Sequence, residues 1–210
     1  MLNSKSIVTG ASKARLDQLI HSRIQGGVDK NEIDKRIWDL FGEVWCVMFT
    51  DLSGFSRGVA KFGIIHFLQT IYESERLFIP IIEGKDGILI KAEGDSLLVI
   101  FKQVDSAVEA AVAMQKACKE YNKDKDDTEK VLLCLGLGYG EILKIGDDDV
   151  FGREVNAASK LGEDTAEPWE ILVTEPVKKN TSRYKDQSFT ELARVPSGID
   201  MAYKLTYDLG

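Results

Sequence analysis

The order of apolar patterns from Val44 onward constrains the fold more than any single motif. "VWCVMFT" is an unbroken apolar run, typical of a buried strand. The stretch that follows carries Phe67, Ile71, Leu77 and Phe78 at helix-like spacing, with Pro80 and Gly84 marking where a helix weakens or ends. "GILIKAEGDSLLVIF" predicts a hairpin turning on Gly94 and Asp95. "DSAVEAAVAMQKACKEYN" is an alanine-rich helix with Asp105 at its start, and "DKDDTEK" a solvated loop. "VLLCLGLGYGEILKI" reads as a second strand pair, "GREVNAASKLGEDT" as a helix, "WEILVT" as a strand and "GIDMAYKLTY" as a closing strand. The order is β-α-β-β-α-β with additions, a split βαβ pattern, which predicts an α+β fold with helices on one face of a sheet.

Ahead of this core, residues 1 to about 11 are polar without periodicity and are expected to be disordered. Ser12 is placed to cap a helix bearing Leu16, Leu19, Ile20 and Ile24, which Gly26 and Gly27 break. Asp29 with Glu32 resembles a capping box opening a helix with Ile33, Ile37, Leu40 and Phe41. Residues 1–42 are therefore read as an N-terminal helical extension whose apolar stripe suits packing against a second subunit, and residues 43–210 as one domain.

Composition excludes several classes. With 210 residues and 44% hydrophobic content, a full core is available. No apolar run reaches the roughly 18–20 residues of a membrane span, and the N-terminus lacks an apolar signal stretch, so a cytoplasmic protein is expected. A net charge of −7 argues against nucleic acid as a main partner, yet leaves nucleotides open because a metal ion can supply local positive charge. Cys46, Cys118 and Cys134 lie in apolar runs and read as small buried hydrophobes. His21 and His66 are far apart, which argues against a histidine metal or catalytic pair.

Two aspartates stand out. Asp51 follows the first strand and precedes Gly54, Phe55 and Ser56, where a helix start would offer N–H groups to a phosphate. Asp95 sits on the hairpin turn, and in a split βαβ fold the two are neighbours. Two carboxylates plus nucleotide phosphates are a usual way to hold Mg²⁺. Each residue alone is also explained by local structure: Asp51 as a helix cap, Asp95 as a turn residue, Lys91 as an edge-strand solubiliser, Asp149 as one of three loop acids.

Taken together and in order, "FTDLSGFS", "KAEGD", "GLGYGEIL" and "DVFGREVNAASKL" resemble the signatures of the class III nucleotidyl cyclase catalytic domain, from about Val44 to Tyr207. The resemblance implies a ferredoxin-like α/β sandwich, and an enzyme converting ATP to cyclic AMP and pyrophosphate with two Mg²⁺ or Mn²⁺ per site. It assigns Asp51 and Asp95 to the metals and Lys91 and Asp149 to the base. Asn156 orients the nucleotide in the transition state, and main-chain groups around Gly54 and Phe55 cradle the triphosphate. It also implies a homodimer with two shared sites, metals held by one chain and the base readers and "VNAASK" helix supplied by the other. Lys91 is donor-only and Asp149 acceptor-only, which complements the adenine edge; cytosine presents the same pattern, so cyclic CMP or UMP formation is the alternative, with a non-catalytic nucleotide-binding homologue the other. Two positions depart from the family pattern. Lys160 stands where an arginine is usual, with its charge but without the planar fork. Ser197 stands near the place of a triphosphate-contacting lysine, for which Arg194 is the candidate stand-in.

Overall fold

The structure, a computed structural model, describes residues 4–53 and 63–209, the side chains of residues 4–10 excepted. Two helices open it, α1 (Ser4–Ile24) and α2 (Lys30–Phe41), followed by β1 (Gly42–Leu52), α3 (Ile64–Glu83), β2 (Ile88–Glu93), β3 (Ser96–Phe101) and α4 (Val104–Tyr121). The second half runs β4 (Leu133–Ile145), β5 (Asp149–Phe151), α5 (Arg153–Gly162), β6 (Ile171–Thr174), α6 (Glu175–Asn180), β7 (Phe189–Glu191) and β8 (Ala202–Leu205). One sheet carries the strands in the order β2-β3-β1-β4-β6-β8-β7, with β5 paired to β4. The β2-β3-β1-β4 block is the ferredoxin-like arrangement, each crossover helix joining strands that leave a place for a third between them. No described helix is long and apolar enough to cross a membrane.

The unbroken apolar run is explained by burial on both faces of β1. Cys46, Met48 and Leu52 belong to the main core with Phe78 and Ile82 of α3 and Ala107, Ala111 and Met114 of α4. Trp45 and Val47 face the other way, onto Val155 and Ala158 of α5. The expectation of helices on one face therefore needs correction: α3 and α4 lie on one side and α5 on the other. An amphipathic helix looks the same in sequence whichever face it covers.

"VLLCLGLGYGEILKI" is likewise one long strand rather than a pair. β4 pairs with β1 continuously from Gly42↔Leu143 to Leu52↔Leu133. Its glycines are not turn residues but a seat for α5. A Cβ on Gly136 would lie 2.1 Å from the Ala158 carbonyl oxygen, and one on Gly138 2.4 Å from that of Glu154. Their alternation puts them all on the α5 face while Leu135 and Leu137 enter the core. Gly136→Ala must lift the helix, so it should destabilise the protein by about 3 kcal/mol, the upper range for overpacking. Thermal unfolding should show this as roughly 6–12 °C in Tm; a shift under about 2 °C would show that α5 is not seated as described.

The N-terminal pair docks on the sheet through Leu19, Ile33, Ile37 and Phe41, which pack on Ile145 of β4. Asp29 caps α2, accepting from the Asn31 N–H at 2.9 Å, and Arg23 clasps Asp34 through two hydrogen bonds. The first helix begins at Ser4 rather than Ser12, so the segment expected to be disordered continues the helix. The three cysteines are buried and free.

Candidate active site

The β2–β3 hairpin turns through Gly94, whose φ of 60° suits a two-residue loop with glycine first. A register irregularity between Leu89 and Lys91 re-aims the strand just before the turn. Lys91 Nζ donates to Asp149 Oδ2 at 2.7 Å, and Asp149 Oδ1 accepts from the Val150 N–H at 2.9 Å. The Asp149 hydrogen bond holds the Lys91 ammonium above its ordinary pKa, against the opposing effect of burial. The pair sits at a cavity of about 290 Å³, with Phe49, Leu98, Val155 and Phe151 as apolar walls and Glu163 on its rim. An apolar slot with a fixed donor and acceptor at one side suits a flat heteroaromatic ring.

Asp51 is the last-but-one residue of β1, on the same face as Phe49, and Asp95 lies on the hairpin turn. Partial burial pushes the Asp51 carboxyl up to about 6, with further repulsion from Asp95, Glu163 and Asp164. Asp95 is also raised, by burial first and then by Glu163. Carboxylates held near one another against their own repulsion fit a hard cation with oxygen ligands. Among the described residues no group of three or more His, Cys, Asp or Glu converges to cage a metal.

Asn156 and Lys160 lie one turn apart on α5. Asn156 is exposed. Lys160 Nζ donates to the Ser197 carbonyl oxygen at 2.8 Å, with Ser197 Oγ at 3.4 Å. Arg194 is exposed on the same β7–β8 connection. Gly54 and Phe55 lie outside the described residues.

The fold thus joins Lys91 to Asp149 and Lys160 to Ser197, and sets Asp51 beside Asp95. Sequence reasoning missed the cavity walls and Glu163. Phe49 faces Leu98 across β1 and β3, and Leu98 faces Lys91 across β3 and β2. That row is visible only once the strand register is known; spacing alone could have paired Phe49 with Asp51 on one strand face.

A sequence profile of the Adenylate and Guanylate cyclase catalytic domain matches residues 40–199. A Rhizobium meliloti (strain 1021) protein provisionally named adenylate cyclase 3 is 30% identical over 145 residues, 69% of this chain and 24% of its own length. The serine/threonine-protein kinase pkn2 of Myxococcus xanthus is 26% identical over 145 residues, again 69% of this chain but 17% of the kinase. The chain thus spans about a quarter or less of these curated relatives. The crystal structure of an adenylate/guanylate cyclase/hydrolase from Silicibacter pomeroyi superposes with a TM-score of 0.69 at 24% identity, over 80% of this chain and 98% of that one.

Proposed function

Because the chain belongs to the family of adenylate and guanylate cyclase catalytic domains, we propose that it converts ATP to cyclic AMP and pyrophosphate in a site shared by two copies of residues 43–210. The observation that carries the choice of base is the Lys91–Asp149 pair at the edge of an apolar cavity. Lys91 donates to adenine N1 while Asp149 accepts from the 6-amino group. Guanine offers the reverse polarity at this edge and would face donor against donor. The name of the Rhizobium meliloti relative supports the same reading.

Asp51 and Asp95 are the residues that would hold the divalent cations, which when bound would supply Lewis-acid activation of the ribose 3′-hydroxyl and charge compensation for pyrophosphate. Asn156, exposed on α5, orients the ribose. Lys160 offsets charge at the α-phosphate, and Arg194 and the main chain around Gly54 and Phe55 hold the triphosphate. The walls Phe49, Leu98 and Val155 exclude water from the base and so strengthen the two hydrogen bonds that read it.

The deciding experiment incubates the protein with each of the four ribonucleoside triphosphates and Mn²⁺ and identifies the products. Cyclic AMP should dominate and should vanish in Asp51→Ala. Faster turnover of CTP or UTP would replace ATP with a pyrimidine substrate. Tight ATP binding by calorimetry with no product from any nucleotide would make the chain a non-catalytic nucleotide-binding module.

A further inference from the structure

Residues Pro196–Ile199 form a β-turn: the Ile199 N–H donates to the Pro196 carbonyl oxygen at 3.2 Å. Gly198, third in the turn, has φ of +89°, while Ser197 is not among the described residues with positive φ. That combination is a type II turn. Between types I and II the two angles flanking the central peptide each change by roughly 150–170°, close to half a turn, so the peptide turns over while the chain ends stay put. Its carbonyl, that of Ser197, points to opposite sides in the two forms. Here it points at α5 and receives Lys160.

The turn is fastened on both sides of that contact. Arg153 at the start of α5 pairs with Asp200. The Leu192 N–H donates to the Ala202 carbonyl oxygen at 2.9 Å and closes the neck of the connection. Ile199 packs against a cluster of Leu161, Leu172 and Ala202. A Cβ on Gly198 would meet nothing within 4 Å, so the glycine serves backbone conformation and not space.

We propose that this type II turn is the positioning device for Lys160. The inference rests on reading Lys160 as the cation at the α-phosphate. An ammonium on a four-carbon stem has no fork to orient itself, unlike a guanidinium. Giving donors to the Ser197 carbonyl and, more weakly, its hydroxyl fixes Nζ in place and leaves a donor for a phosphate oxygen. Ser197 and Gly198 are thus positioning residues, acting through Lys160.

Gly198→Ala disfavours the left-handed φ and moves the turn toward type I, carrying the carbonyl away from Lys160. With ATP and Mn²⁺, kcat should fall about tenfold to a hundredfold, the cost of misplacing a reacting group by about 1 Å. KM should stay within about twofold, because transition-state contact rather than ground-state binding is lost. Gly198→Asn, which tolerates positive φ, should keep most of the rate. In a Lys160→Met background Gly198→Ala should add no further loss; a second loss of the same size there overturns the proposal.

Lys160→Met by itself tests the underlying reading: an unchanged kcat removes Lys160 from the chemistry. Acetic anhydride labelling followed by mass spectrometry tests the contact without activity. Lys160 should label severalfold more slowly in the wild type than in Gly198→Ala, and equal rates overturn the proposal.

Discussion

Two variants that are each inactive, Asp51→Ala and Lys91→Ala, should together return about a quarter of wild-type activity once mixed and allowed to exchange subunits. The basis is how one chain distributes its groups. Lys91 gives its hydrogen bond to Asp149 of the same chain, and Asp51 is set beside Asp95 instead. If the metal pair of one chain works with the base readers of another, every two-fold dimer has two equivalent sites. A heterodimer of the two variants then holds one site with both lesions and one intact site. Random exchange makes about half the dimers mixed, each with one good site of two. Mass spectrometry should verify exchange and product formation should be read on the same sample. Exchanged subunits that recover nothing would place both half-sites within one chain.

The second large effect separates stability from activity. Asp51→Asn should abolish cyclase activity and yet stabilise the metal-free protein above about pH 6. The carboxyl of Asp51 is raised to about 6 in the folded state, against roughly 3.9 in an unfolded chain. A raised pKa means stability is fully present below the unfolded value and is lost as pH rises through the folded one. The asparagine carries no charge and escapes that loss. The variants should therefore unfold at the same temperature below about pH 4, diverge between about pH 4 and 6, and run parallel above. Discounted for the half-exposed carboxyl, the gain is about 1–2 kcal/mol, or roughly 2–8 °C in Tm. Scanning calorimetry in chelator at pH 4 and pH 7.5 measures it. A lower Tm for Asp51→Asn at pH 7.5 would show that the folded protein does not hold this carboxylate against repulsion.

The strand and helix order was legible because burial imposes period on sequence. The unbroken run at β1 predicted a buried strand, and the alanine-rich segment predicted α4. What failed was what depends on a neighbour not yet placed. "VLLCLGLGYGEILKI" read as a strand pair, and its glycines could not say otherwise, because a glycine announces only a missing Cβ; that the space belongs to the α5 backbone emerges once α5 is on the sheet. The first turns of α1 lack an apolar stripe, so nothing in periodicity marked them as helix. At the site, Lys91 and Asp149 are 58 residues apart, and no spacing rule joins them; a family resemblance did. The contact of Lys160 with a main-chain carbonyl had no sequence signal beyond the Ser197-Gly198 dipeptide, which marks a turn without saying where its carbonyl points.

The glycine seat under α5 also bears on how such a chain can drift. Where a helix rests on large side chains, every exchange in the layer between moves it. Over β4 main chain lies on main chain, so along that strand the height of α5, which carries Asn156 and Lys160, is fixed by atoms that every amino acid shares. The outward face of α5 is thereby insulated from exchanges along β4. A residue such as Lys160 can replace an arginine there without tilting the helix, and selection can try new chemistry at one surface while the scaffold beneath stays in register.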